Sequence, residues 1–231
     1  MRVRGLRRTL LQGAVVVALA AVLSATNVSA ASTVALPVLK CPTVFGVTGA
    51  ARHVPATIAV KGAGPTQGLV AYTNTEIFLI GPRGLRCSGL VAADGGSQVI
   101  AWAPGQAKPA LHAHGVGLTL TIDPACAGCR ADDACPFFTQ LARKLGFPCG
   151  AGVPAGEAVV RRSPSLALFE DPPGVAGSGW PSGGPDPANG VVGTHGHPVG
   201  DALVYRSTCT LPAVDHAICT ASLNDVIARY G

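Results

Sequence analysis

The sequence is poor in charge, in aromatic rings and in methionine. Of its 231 residues 13% are charged and 5% aromatic, and the single methionine is Met1. Four of the seventeen basic residues are Arg2, Arg4, Arg7 and Arg8, so beyond residue 30 thirteen basic side chains face twelve acidic ones, a net charge of +1. Binding to nucleic acid or to an anionic membrane needs a basic patch, and that balance supplies none. Arg143-Lys144 and Arg161-Arg162 read as solvated surface pairs. Past the first thirty residues no apolar run approaches the ~18 residues of a membrane span. Motifs of catalysis are missing too. There is no Gly-x-Ser-x-Gly elbow, no phosphate-cradling glycine loop and no zinc-finger spacing. Ser182-Gly183-Gly184 has the outline of a serine nucleophile loop, but Pro181 removes an amide and no aspartate precedes the serine. The acidic residues are scattered, without a paired-carboxylate motif, and nothing calls for a cofactor.

What the chain does have is eight cysteines, an even number, all beyond residue 30. Full pairing needs an oxidising compartment. Residues 1–30 read as the means of reaching one. Four arginines form a basic n-region, 10–23 is an apolar core, and Val28-Ser29-Ala30 ends in a small-x-small cleavage pattern. Arg7-Arg8 partly matches a twin-arginine signal, but the long apolar core and the need to form disulfides after translocation favour general secretion. Residues 31–231 are then expected to be one exported domain, without a membrane span once the signal is cut, and monomeric.

Within that domain 31–66 read as an extended, weakly structured lead with a short strand at 43–47. From Gly68 the pattern sharpens. The runs 69–73, 76–80, 85–92 and 98–103 are β-branched and apolar, and Asn74-Thr75, Gly81-Pro82-Arg83-Gly84 and Asp94-Gly95-Gly96 separate them with turn chemistry. Such short connections predict an antiparallel meander. A fifth strand at 116–122 alternates Leu118 and Leu120 with threonines, which predicts one buried face. At 134–146 the period becomes helical: Asp132-Asp133 leads, Arg143-Lys144 sits in the last turn and Gly146 follows. Two more strands are expected at 157–161 and 165–170. A second helix ends the chain, with Ser222 and Asp225 as a capping box and Leu223, Val226, Ile227 and Tyr230 as its apolar stripe. The fold class is therefore α+β, an antiparallel β-meander with two amphipathic helices, stabilised by disulfides. Residues 171–200, with nine glycines and six prolines, read as a long surface loop. Trp180 within it either stacks on a ligand or covers the core edge.

Three cysteine groups stand out: Cys41 with Cys87; Cys126, Cys129, Cys135 and Cys149; Cys209 with Cys219. Neighbourhood favours Cys41–Cys87 and Cys209–Cys219. In the middle group, a helix over 134–146 would put about 16 Å between Cys135 and Gly146, too far for Cys149 to return. That geometry predicts that Cys135 pairs with Cys126 or Cys129. Cys126-Ala127-Gly128-Cys129 has the spacing of a redox dithiol, but it precedes the expected helix instead of opening it, and no strand–helix context is evident. The spacing also lacks the second close pair of a zinc ribbon. All eight cysteines are therefore expected in structural disulfides.

Two His-x-His pairs remain, His112 with His114 and His195 with His197. On extended backbone both rings of a pair face one way, so His195 and His197 are the candidate metal ligands, with Asp201 or Glu170 as possible further ligands.

The segment 81–89 with Asp94-Gly95-Gly96, and the run from Cys126-x-x-Cys129 to Ala134-Cys135-Pro136-Phe137, resemble segments of secreted bacterial proteins of unknown function. The resemblance implies an exported, disulfide-bonded domain and assigns no activity. The functional expectation is a secreted, non-catalytic binding or cell-envelope-associated module for an extracellular or envelope ligand. An extracytoplasmic hydrolase, or metal binding through His-x-His, is the alternative.

Overall fold

Alternation along the strands builds this molecule, because a period of two sends successive side chains to opposite faces. The computed structural model describes residues 33–46, 52–61, 67–110, 117–147, 149–150, 152–195 and 203–231. The proposed signal at 1–30 lies outside them. The strands are β1 (Thr33–Lys40), β2 (Thr43–Phe45), β3 (Thr57–Lys61), β4 (Leu69–Thr73), β5 (Phe78–Pro82), β6 (Arg86–Val91), β7 (Ser97–Trp102) and β8 (Leu118–Asp123). After the helices α1 (Ala127–Ala134) and α2 (Thr139–Lys144) come β9 (Ala158–Ser163), β10 (Leu166–Asp171), β11 (Ala188–His195), β12 (Leu203–Cys209) and α3 (His216–Tyr230).

They form two sheets, a small one ordered β3-β1-β4-β5 and a large one ordered β2-β6-β7-β8-β12-β11-β10-β9. On the inner face of the large sheet Val99, Ala101, Leu118, Leu120, Val191 and Tyr205 meet Val70, Tyr72 and Leu79 of the small sheet and Leu223 and Val226 of α3. The outer face carries Ala167, Phe169, Val192 and Val204 under Ala134, Phe137 and Phe138 of the α1–α2 segment. Phe137 stacks on Phe169 with ring centroids 5.1 Å apart. A third cluster, Leu36, Ile58, Val60, Ala71 and Ile80, fills the other side of the small sheet. α3 touches both edges of that sheet. Arg229 Nη2 donates to the Ala59 carbonyl of β3, and the Tyr230 hydroxyl accepts the Phe78 amide of β5.

The α+β class and the disulfide framework stand, but the sheets are mixed. β1 pairs with β4 in parallel, and β2 with β6 in parallel. The cause is the lead segment, which is not weakly structured: β1 inserts between β3 and β4 and β2 caps the edge of the large sheet. Both faces of β8 are buried, not one, because its threonine face lies under α1.

The helical prediction over 134–146 is corrected. α1 starts at Ala127 and stops at Ala134, with Cys135 extended as its C-cap at ψ 138°. Pro136 explains the stop. It offers no amide and pushes the residue before it out of the helical region. α2 is a separate helix of six residues, about 9 Å long, so the described residues hold three α-helices where two were expected. Cys135 is therefore not in the first turn of a long helix, and the chain returns. Cys135 bonds Cys149 with α-carbons 5.6 Å apart, the pairing that the rise of a long helix had excluded. Cys126 bonds Cys129, while Cys41–Cys87 and Cys209–Cys219 pair as neighbourhood suggested. α3 begins at His216, six residues before the expected capping box, and its Ser222 and Asp225 are buried mid-helix.

The proposed loop over 171–200 is corrected as well, since Ala188–His195 is a strand in the middle of the outer cluster. Its glycines serve neighbouring rings. A Cβ on Gly190 would stand 2.0 Å from the Phe169 ring, and one on Gly193 would stand 2.1 Å from Tyr205. Phe169 and Tyr205 are their cross-strand partners. Gly190→Ala is expected to destabilise the domain by roughly 1–3 kcal/mol through overpacking. Gly150→Ala, where nothing lies within 4 Å, should leave the urea midpoint unchanged. Equal midpoints for the two variants would refute this account of β11.

Candidate functional site

The outer face of the large sheet changes character halfway across. Over β10 and β11 it is apolar, but over β7, β8 and β12 it presents Gln98, Thr119, Thr121, Asp123, Arg206 and Thr208, all buried. The polar row is internally bonded. Gln98 Nε2 donates to Thr121 Oγ1 at 3.2 Å, and the Thr119 and Thr208 hydroxyls lie 2.5 Å apart. α1 lies over this row, and the gap between them is a cleft of about 470 Å³ lined by Gln98, Thr121, Asp123, Cys129, Asp132, Asp133 and Arg206.

Arg206 stands at its centre. Its Nη1 lies 3.7 Å from Asp133 Oδ1, its Nη2 donates to the Ser178 carbonyl, and its guanidinium sits 5.8 Å from the Phe169 ring centre. Burial weakens its hold on its proton, and the charges of Asp133, Glu157 and Asp171 offset part of that loss. Asp133 reaches the site because α1 turns its residues Arg130, Ala131, Asp133 and Ala134 toward the sheet. There it meets Asp123, the last residue of β8. Burial, then the charge and hydrogen bond of Asp133, push the Asp123 carboxyl from 3.8 up to about 7, with Arg130 pulling it back. Two buried carboxyls in contact can hydrogen-bond only when one keeps its proton, which adds to the effect of burial.

A second carboxyl pair organises residues 172–187. Asp171 Oδ2 accepts the amides of Gly179 (2.6 Å) and Trp180 (2.9 Å), and Glu157 Oε2 accepts that of Ser178 (2.6 Å). The other oxygen of each, Asp171 Oδ1 and Glu157 Oε1, is buried without a donor. They turn to each other. Burial raises the Glu157 pKa, the Ser178 bonds lower it, and Asp171 raises it again. Three consecutive loop residues are thus held by two acids, and Arg206 reaches the same loop through Ser178.

Several predicted site residues fall elsewhere. His195 is exposed at the end of β11, while His197, His112, His114 and Asp201 lie outside the described residues. The only described group of three potential metal ligands is Asp94 with Cys126 and Cys129, whose ligand atoms lie within 4.8 Å of one another. Both sulfurs there are spent in a disulfide. Trp180 does not present its face to the cleft. Its Nε1 donates to the Asp186 carbonyl and its ring packs on Gly184 inside its own loop. Ser182 is exposed, the described histidines His53, His195 and His216 are all exposed, and no described cysteine is free. Among the described residues no nucleophile–histidine–acid set converges.

The residues that do converge were not singled out by the sequence. Asp133 looked like the acidic start of a helix when it belongs to the C-terminal half of one. Asp123 lay one residue past the strand expected over 116–122, for which one buried face was expected. The available signal was an arginine inside a β-branched run at 203–209, which only a buried counter-charge could tolerate.

The pH dependence of stability follows from Asp123. Its folded pKa lies above its unfolded value, so its contribution is complete below about pH 4 and is lost as pH rises through about 7. The melting temperature should therefore fall between pH 4 and pH 8, by the equivalent of roughly 2–4 kcal/mol. Asp123→Asn should flatten that fall and melt higher than the wild type at pH 8. Parallel profiles for the two proteins would show that the pair shares no proton.

Set against models of protein families, against curated proteins and against solved structures, the chain matches none, so function is read from the site alone.

Proposed function

We propose that this chain is an exported, monomeric binding module. Its ligand enters the cleft under α1 and offers the Asp123–Asp133 pair a cation or a strong hydrogen-bond donor. One observation carries the reading: two buried carboxyls, Asp123 and Asp133, meet at the floor of an open cleft rimmed by the exposed Asp132. Three carboxyls, those of Asp123, Asp132 and Asp133, line the cleft, so the complementary ligand is a donor. Export is supported by four disulfides, which belong to an oxidising compartment. Among the described residues no helix is long and apolar enough to cross a membrane. The segment resemblance to secreted bacterial proteins points the same way.

A second reading has its own support. A carboxyl with a pKa of about 7 beside a second carboxyl can give and take a proton near neutrality. That is what an extracytoplasmic hydrolase without a covalent nucleophile would use.

The two readings part in one experiment. Titration calorimetry with a panel of small amines and guanidines, run at pH 7 in two buffers of different ionisation heat, reports affinity and proton exchange together. A cation selects the ionised pair, so binding should release about one proton and tighten as pH rises through 7. Asp133→Asn should weaken it by at least tenfold. Turnover of a peptide or glycoside substrate with a bell-shaped pH profile, lost in Asp123→Asn, would put the hydrolase first. Neither heat nor turnover would reject both.

A further inference from the structure

The Cys126–Cys129 bridge differs from the other three, and the difference is functional. It closes a loop of sequence separation 3, against 46, 14 and 10 for the others. Chain entropy makes so short a loop the least stabilising of the four. It also occupies the place where a dithiol becomes reactive. β8 ends at Asp123, and after two residues Cys126 is the N-cap of the eight-residue helix α1, its Sγ accepting the Cys129 amide at 3.1 Å. The expectation that this Cys-x-x-Cys stands before its helix, without a strand leading in, is thus corrected. A backbone N–H and the positive end of a helix stabilise a thiolate at that sulfur. Both cysteines are partly exposed, as are Cys135 and Cys149, whereas Cys209 and Cys219 are 0% and 2% exposed. Cys129 lines the open cleft, as does Arg206, whose Nε is buried without a hydrogen-bond partner.

We propose that Cys126–Cys129 is a thiol–disulfide exchange site whose substrate is a dithiol in another exported polypeptide. A substrate thiolate attacks Cys126 Sγ. The Cys126–Cys129 bond breaks, and its electron pair leaves on Cys129 Sγ, which takes up a proton. The second substrate thiolate then attacks the substrate sulfur of the mixed disulfide, forming the substrate disulfide and expelling the Cys126 thiolate. The substrate loses two electrons and two protons, and the Cys-x-x-Cys pair gains them. The Asp94 carboxylate lies within 4.8 Å of both sulfurs. Its negative charge opposes the thiolates, so it acts as a positioning residue that holds the pair toward the disulfide. The inference does not depend on which ligand the cleft binds, since the exchange needs the sulfurs and not the Asp123–Asp133 proton.

The test uses the oxidised full chain equilibrated at pH 8 in graded mixtures of reduced and oxidised glutathione, quenched by alkylation and mapped without reduction. Cys126 and Cys129 should be alkylated over a range in which the other six cysteines stay bonded and the circular dichroism stays native. The chain should oxidise about one equivalent of a reduced dithiol peptide. Cys126→Ser/Cys129→Ser should lose that activity and keep its fold, and Asp94→Asn should move the midpoint toward the dithiol by at least about threefold. Reduction of this pair only together with another bridge, or equal peptide oxidation by the double variant, would overturn the proposal. An unmoved midpoint in Asp94→Asn would remove Asp94 from it.

Discussion

A guanidinium almost without access to water must find its partners inside the protein, and Arg206 takes them from three directions. It reaches Asp133 on α1, the Ser178 carbonyl of the Gly/Pro segment and the ring of Phe169 on β10. Each partner then recruits its own neighbours. Asp133 bonds Asp123 at the end of β8. Ser178 donates its amide to Glu157, and Glu157 turns to Asp171. Such a cluster is costly to bury, and removing one charge strands the rest. What it supplies is position. Arg206 extends the hold on α1 beyond the apolar packing, because the hydrophobic contacts of the α1–α2 segment fall over β9 to β12. The open cleft exists because the polar half of that face is held by charge at one end and by side-chain hydrogen bonds along its length.

How much of this could be read in advance depended on whether the deciding interaction was local. β4 was legible to the residue, and β6 and β7 nearly so, because turn chemistry at Asn74-Thr75 and Asp94-Gly95-Gly96 sits in the sequence beside the strands it bounds. The end of α2 at Gly146, with φ of +86°, was legible for the same reason. β11 was not. Its glycines are there for Phe169 and Tyr205, residues twelve or more positions away, and by composition alone a glycine that clears room for a ring looks like a glycine that makes a loop. Pro136 is a different lesson. The stop it imposes on a helix is local and was present to be read, but the regular spacing of Phe138, Leu141 and Leu145 outweighed it. The wrong disulfide followed directly from that one overlooked proline.

The candidate site was the least legible part, for a reason intrinsic to carboxyl pairs. Nothing about Asp123 or Asp133 alone predicts a raised pKa. The shift comes from burial by α1 and from the meeting of a strand end with a helix end. Arg206 was the exception, since a charged residue in a strand so rich in β-branched and aromatic neighbours implies an internal counter-charge before any partner is known.

α1 ties these features into one device. Its N-terminus is closed by Cys126–Cys129, its C-terminus is anchored through Cys135–Cys149, and between them Asp133 faces the sheet. Opening the first bridge frees only the leading turn, because the C-terminal end stays bonded and Asp133 stays paired with Arg206. The helix can therefore change redox state at one end without surrendering the carboxyl pair in its middle. Those carboxylates in turn sense that end: Asp94, beside the sulfurs, also raises the Asp123 pKa. Two thiolates beside Asp94 would add negative charge on the same side of the cleft, and that raises the Asp123 pKa further.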